Sequence, residues 1–152
     1  MPPIPPPQRV AHNFVMNSAL HASRLKVFLV EDSGSIRGRL TALLEAIDGV
    51  EVVGHADGPV AALAGIGACG ADVAVIDLHL AGGTSGLAVL RELPRHLPGV
   101  VPIVLTGSPL PFYRDACLAL GARHFLDKAG DTGLLCQIIR EFAEDVDVRP
   151  AR

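Results

Sequence analysis

Polar residues suited to binding phosphate and metal ions follow four short apolar runs of the chain. Two acids follow the first run, one acid the third, a threonine the fourth and a lysine the fifth: Glu31, Asp32, Asp77, Thr106 and Lys128. Three carboxylates at one place would repel one another unless a divalent cation lay among them, and Mg²⁺ takes one or two carboxylates with waters and phosphate oxygens. An ammonium and a hydroxyl group beside them would hold phosphoryl oxygens. Phosphoryl transfer requires mainly such positioning and charge neutralisation.

These residues meet only if strands and helices alternate along the chain. Short apolar runs predict five strands, at residues 25–30, 50–54, 73–76, 100–105 and 124–126. Apolar residues at helical spacing predict five helices, at residues 33–47, 58–68, 85–93, 110–120 and 132–144. Ser33 has the residue type of a helix N-cap, and we expect Pro94 to stop or kink the third helix.

Five β–α units with nearly continuous apolar strands predict an α/β fold, with a doubly wound five-stranded parallel sheet covered by helices on both faces. Such sheets carry their sites at the carboxyl ends of the strands. An acidic pair after one strand is often only a solvated loop. The joint placement of suitable residues at four strand ends therefore predicts a functional site at that edge.

The strand-end motifs together resemble the receiver domain of bacterial two-component response regulators. They read LVED at the first strand, VID at the third, VLTG at the fourth and FLDK at the fifth, and the resemblance covers about residues 25–144. It implies a CheY-like, flavodoxin-like sheet with strand order 2-1-3-4-5. The expected organisation is a stand-alone receiver domain at 24–146, between a proline-rich flexible tail at 1–23 and a C-terminal tail at 147–152.

The resemblance implies a phospho-acceptor and a Mg²⁺ site. Asp77 would accept the phosphoryl group. Asp32 would bind the metal directly, with Glu31 beside it and often acting through water. The carboxylate of Asp77 and the backbone carbonyl of His79 would complete the protein ligands.

The resemblance also implies the residues of a conformational switch. Thr106 and Lys128 would bind the phosphoryl oxygens, and Phe125 matches the rotating aromatic residue of the family. Two features depart from the usual pattern. Ala129 follows the lysine where many members have proline, and the loop after Asp77 lacks the common proline.

The expected function is that of a single-domain response regulator with no enzymatic activity beyond its own phosphotransfer and autodephosphorylation. A histidine kinase or phosphotransfer protein would donate the phosphoryl group. Only 24 residues follow Lys128 in this sequence of 152 residues, so we expect output through a downstream protein or through self-association, for instance as a homodimer. A receiver that serves as a phosphorelay intermediate is the alternative within the family.

Two further classes of function stay open. A flavodoxin-like enzyme would need a phosphate-binding loop after the first strand, but the loop EDSGSIRG begins with two acids, which repel a phosphate unless a metal intervenes. The literal GxGxxG at 65–70 falls at a predicted helix end rather than after a strand, which argues against a dinucleotide site. A degenerate receiver that works without phosphorylation is the third class, and the intact set of acids, threonine and lysine argues against it.

Composition narrows the expected location and partners. The formal net charge is −3, from 13 basic and 16 acidic residues, and no run of Lys or Arg suggests direct nucleic-acid binding. No run approaches the roughly 18 apolar residues that span a membrane, and the first residues do not resemble a secretory signal. Three widely spaced cysteines are typical of reduced thiols, so we expect a cytoplasmic protein. Five prolines within residues 1–7 predict a segment that is dispensable for folding.

Overall fold

The fold is a five-stranded parallel sheet between two layers of helices. The computed structural model of the chain describes residues 24–148. Its sheet has the order β2-β1-β3-β4-β5, and every pairing of neighbouring strands is parallel. The strands are β1 Leu25–Val30, β2 Val50–Ala56, β3 Val73–Ile76, β4 Val101–Thr106 and β5 His124–Asp127. The predicted fold class and strand order are therefore confirmed.

Five α-helices connect the strands or follow them. They are α1 Gly34–Glu45, α2 Pro59–Cys69, α3 Gly86–His96, α4 Pro111–Ala119 and α5 Thr132–Val148. A short 3-10 turn, Ala81–Gly83, precedes α3. No helix within residues 24–148 is long and apolar enough to cross a membrane. The expected tail at 1–23 and most of the expected tail at 147–152 lie outside the described residues.

The alternation of side chains along β1 divides the core into two halves. Leu25, Val27 and Leu29 pack in the cluster that α1 and α5 cover. Phe28 and Val30 point to the opposite face, into the cluster that α2, α3 and α4 cover. Because successive side chains of a strand point to opposite faces, both layers of helices pack against the same central strands.

The GxGxxG segment has a packing explanation. Its first glycine, Gly65, lies inside α2, where an added Cβ would come within 2.7 Å of the Phe28 ring. Its last glycine, Gly70, ends α2 in the left-handed conformation, with φ 63°. One glycine thus makes room for an aromatic ring and the other caps the helix, as expected for a helix end.

Three elements extend by two or more residues beyond their predicted ends. β2 continues to Ala56 across an irregularity in its pairing with β1, between Val27 and Phe28, and α5 continues to Val148. The expectation that Pro94 stops α3 is wrong, because the helix continues to His96 and the Leu97 amide donates to the Leu93 carbonyl at 2.7 Å. Proline removes one amide from the helical ladder, but buried Leu93 holds the last turn through tertiary packing.

Candidate functional site

The turn from β1 into α1 holds one acid inside the protein and leaves the other outside. Glu31 is 3% exposed, whereas Asp32 is exposed. One carboxylate oxygen of Glu31 accepts the Ser33 amide at 3.1 Å, and the Glu31 carbonyl accepts from Arg37 at 2.9 Å. Ser33 also caps α1, since its hydroxyl accepts the Ile36 amide at 3.3 Å. The predicted N-cap is therefore confirmed.

Asp77 follows the central strand β3 and is held by backbone on both sides. Its amide donates to the Val30 carbonyl at 2.9 Å, and its carboxylate oxygen Oδ1 accepts the His79 amide at 3.3 Å. The start of α3 lies directly against it, because a Cβ built on Gly86 would be 2.1 Å from the Asp77 carbonyl oxygen. The side chain of Asp77 is 6% exposed, so its carboxylate lies at the base of the site rather than on its rim.

The three acids predicted at these strand ends do meet. Carboxylate oxygens of Glu31, Asp32 and Asp77 lie within 4.8 Å of one another. An all-oxygen, anionic donor set of this kind suits a hard divalent cation, and Mg²⁺ is bound in proteins by one or two carboxylates with waters and phosphate oxygens. This acidic cluster is therefore compatible with Mg²⁺.

Lys128 joins two of the three acids. Its ammonium Nζ donates to Asp77 Oδ2 at 2.9 Å and contacts Glu31 Oε1 at 2.5 Å. The side chain of the lysine is 20% exposed, against 4% for that of Glu31 and 6% for that of Asp77. A cation thus enters the site from its solvent side and partly compensates two buried carboxylates, which would be costly to bury alone.

Burial and pairing act in opposite directions on these groups. Burial is the largest influence on Glu31 and raises its pKa, although the hydrogen bond from Lys128 works against it. Burial alone would lower the pKa of Lys128, but the hydrogen bonds to Glu31 and Asp77 outweigh it and raise that pKa. Lys128 therefore stays a cation throughout the neutral range.

The turn after β5 is closed by hydrogen bonds of Asp127, Lys128 and Ala129. The Asp127 side chain accepts the Ala129 amide at 2.9 Å, and the Asp127 amide donates to the Asp131 carboxylate at 2.9 Å. The Lys128 amide donates to the Thr106 carbonyl at 2.8 Å, which ties this turn to β4. Asp127 and Asp131 thus hold the turn in which Ala129 follows the lysine.

Thr106 and Phe125 lie on neighbouring strands and are both buried. Thr106 ends β4 with 0% exposure, and Phe125 in β5 is 8% exposed. Phe125 pairs with Val104 and Thr106 with Asp127, so both side chains point to the face of the sheet covered by α4. The Thr106 hydroxyl accepts the Ser108 amide at 3.1 Å. Among the hydrogen bonds of residues 24–148, none joins that hydroxyl to the acidic cluster.

Several residues that shape the site were not among the predicted ones. Arg37, Gly86 and Asp131 belong to none of the strand-end motifs. Tyr113 is also new: its ring meets the His79 ring edge-on, with centroids 5.8 Å apart. The available sequence signals were a tyrosine at the start of the helix that follows β4 and a glycine at a predicted helix start.

Comparison with known proteins gives one family. Residues 27–140 match the family model of the response regulator receiver domain. A protein-glutamate methylesterase/protein-glutamine glutaminase 1 of Carboxydothermus hydrogenoformans is 32% identical over 129 residues, which cover 83% of this chain and 36% of that protein. Response regulator GacA of Pseudomonas syringae pv. syringae is 28% identical over 116 residues, which cover 76% of this chain and 54% of that protein. The chain spans about half or less of the length of these relatives.

Solved structures show the same fold. The signal receiver domain of NarL from Mycobacterium tuberculosis superposes with a TM-score of 0.72 at 25% identity, covering 80% of this chain and 97% of that domain. A CheY-like receiver domain protein from Methanospirillum hungatei JF-1 superposes with a TM-score of 0.71 at 23% identity, covering 82% of this chain and 97% of that one. The second similarity bears on the fold alone.

Proposed function

Because the chain belongs to the response regulator receiver domain family, as its strand-end motifs predicted, we propose that it is a phosphorylation switch with Asp77 as the phospho-acceptor. One observation carries the assignment. The Asp77 carboxylate follows the central strand, with Lys128 Nζ 2.9 Å away and two further acids within 4.8 Å. A nucleophilic carboxylate, a cation and oxygen ligands for a metal are what phosphoryl transfer requires.

The donor is a phosphohistidine on a histidine kinase or a phosphotransfer protein. A carboxylate oxygen of Asp77 forms a bond to phosphorus while the bond from phosphorus to the imidazole nitrogen breaks. The nitrogen keeps the electron pair of that bond, and the imidazole leaves in its neutral form because its other ring nitrogen carries a proton. Mg²⁺, when bound by Glu31, Asp32, Asp77 and the His79 carbonyl, supplies charge neutralisation for the transferred group.

Lys128 and Thr106 hold the phosphoryl group once it is on Asp77. The ammonium of Lys128 turns from Asp77 Oδ2 to a phosphoryl oxygen, a stronger acceptor with more negative charge. The hydroxyl of Thr106 accepts the Ser108 amide and keeps its own proton to donate. If Thr106 moves toward the phosphoryl group, Phe125 rotates into the space beside β5 and changes the surface formed by α4, β5 and α5.

Output passes through protein–protein interaction in the cytoplasm, with a downstream protein or a second copy of the chain as partner. A net charge of −3 without a run of Lys or Arg supports a protein partner over direct nucleic-acid binding. The receiver acts as a switch, and any enzymatic step is limited to phosphotransfer and autodephosphorylation at Asp77.

The decisive experiment is labelling with acetyl phosphate, with and without Mg²⁺, followed by intact-protein mass spectrometry. We expect one added phosphoryl group on the wild-type chain in the presence of Mg²⁺ and none on Asp77→Asn. Asp48→Asn, which changes an exposed acid outside the site, is the matched control and should label like the wild type. Equal labelling of Asp77→Asn and the wild type would refute the assignment of Asp77 as the phospho-acceptor. A bound flavin in the visible spectrum of the purified protein would favour a flavodoxin-like function instead.

A further inference from the structure

Exposed apolar side chains concentrate at the edge of the sheet that carries the site. Residues 24–148 expose six large hydrophobic side chains. Four of the six lie in the first turn of a helix or at its N-cap: Val60, Leu110, Phe112 and Leu134. Helices that follow parallel strands begin at the carboxyl ends of those strands, so these four surround the edge where Asp77 lies. Such clustering marks an interaction surface more than scattered exposure does.

An aromatic path connects Asp77 with the most exposed of the large side chains on α4. The His79 amide bonds to Asp77, the His79 ring meets Tyr113 at 5.8 Å, and Tyr113 meets Phe112 at 5.7 Å. Tyr113 also packs against the core beneath α4, which anchors the path. Phe112 is 76% exposed and its neighbour Leu110 is 56% exposed. We call Leu110, Phe112, Tyr113 and the His79 ring the aromatic patch.

We propose that the aromatic patch is the contact surface for the protein that donates the phosphoryl group, and that Leu110 and Phe112 favour this protein over small-molecule donors. The inference rests on the proposed function. A protein donor must bring its phosphohistidine into contact with Asp77 and therefore covers the surface around it. A standard interface buries about 800 Å² on each partner, a disc of about 16 Å radius, and the two ring-to-ring steps from His79 to Phe112 are of that length scale.

The chemistry of the patch fits an anchor of such an interface. Aromatic side chains dominate binding energy near the centre of an interface, where they become fully desolvated. Phe112 presents a large apolar area, and its contact with anchored Tyr113 reduces the entropy lost on binding. The donor must cover Asp77 in order to transfer the phosphoryl group, whereas a downstream partner need not contact it. The continuity of the patch with Asp77 therefore favours the donor. The apolar face expected on the donor surrounds its phosphohistidine.

The test compares two donors on the same variants. The protein donor is the purified, autophosphorylated histidine kinase from the same organism that labels the wild-type chain fastest, and the small donor is acetyl phosphate. Phe112→Ser should lower kcat/KM for the protein donor about tenfold to thirtyfold, as for an aromatic anchor, and Leu110→Ser should lower it less. Labelling by acetyl phosphate should stay within about twofold of wild type, which also reports that the variants are folded.

Leu118→Ser is the matched control, because Leu118 lies near the other end of α4 and is 39% exposed. Leu118→Ser should leave the labelling rates with both donors unchanged. Unchanged protein-donor rates in Phe112→Ser would overturn the proposal and leave the patch to a downstream partner. An equal fall with both donors would overturn it too, since the patch would then act on the site itself. If acetyl phosphate labels Asp77 but no kinase does, the donor surface is refuted while the phospho-acceptor stands; if neither labels it, the proposed function fails.

Discussion

Gly86→Ala tests how closely the start of α3 must approach Asp77, which follows β3. The added methyl group would lie 2.1 Å from the Asp77 carbonyl oxygen and 2.7 Å from Ile76 Cγ2. Cβ atoms essentially never approach other heavy atoms closer than 3.0 Å, and the nearest group here is backbone. The Gly86 amide also donates to the Leu78 carbonyl at 3.0 Å, which ties the helix to the same loop. Relief therefore requires α3 or Asp77 to move.

The expected cost is at the upper end of overpacking, about 3 kcal/mol, because the nearest neighbour is the Asp77 backbone, which cannot rotate away. For a domain of this size, such a loss lowers the thermal midpoint by roughly 12 °C. A displacement of about 1 Å at Asp77 should in addition slow acetyl phosphate labelling by about tenfold to a hundredfold. Stability and labelling should fall together.

Gly38→Ala is the matched control, since Gly38 lies inside α1 and an added Cβ would meet nothing within 4 Å beyond its chain neighbours and the backbone of its own helix. Replacing an unhindered helical glycine with alanine should stabilise the domain by about 0.5–1 kcal/mol and leave labelling unchanged. Thermal and urea unfolding of both variants give the two free energies with opposite signs. If Gly86→Ala unfolds at the wild-type midpoint and labels at the wild-type rate, the close approach of α3 to Asp77 has no energetic meaning.

Four further outcomes are expected. Asp32→Asn should weaken the Mg²⁺ dependence of labelling at Asp77, read as a higher half-saturating Mg²⁺ concentration; an unchanged concentration would remove the residue from the metal site. Thr106→Ala should still accept a phosphoryl group but lose most amide NMR shift changes over residues 109–140 on adding beryllofluoride; retained shifts would contradict the switch. A chain beginning at Arg24 should keep its thermal midpoint within a few degrees, and loss of folded signal would show that residues 1–23 pack on the domain. Cys117, with 0% exposure and a pKa raised by burial, should react with a thiol reagent more slowly than the two half-buried cysteines, and equal rates would contradict its burial.

Local patterns determined the fold class and the edge that carries the site. The alternation in β1 and the helical spacing in α1 are properties of neighbouring residues, so they can be read along the chain. Parallel connectivity then brings the strand ends to one edge. Glu31, Asp32 and Asp77 therefore were expected to meet, and their carboxylates do lie within 4.8 Å of one another.

Tertiary packing decided where several elements end. Pro94 has a strong local tendency to end a helix, yet α3 passes through it, because Leu93 is buried against the sheet. β2 continues to Ala56 only because β1 offers it partners across an irregular register. This stabilisation comes from residues that are distant in sequence, so local helix and strand propensities do not predict it.

The finer architecture of the site depended on contacts across the chain. Lys128 donates a hydrogen bond to Asp77, which lies 51 positions away in the sequence. No spacing between the motifs predicted its ion pair with Glu31. Gly86 is required by space rather than by backbone conformation, and only the folded chain shows what an added Cβ would meet. The rings of His79 and Tyr113 likewise meet because α4 begins beside the loop after β3. Residue types at strand ends were thus predictable from sequence, whereas orientation, pairing and burial arose only when the helices packed on the sheet.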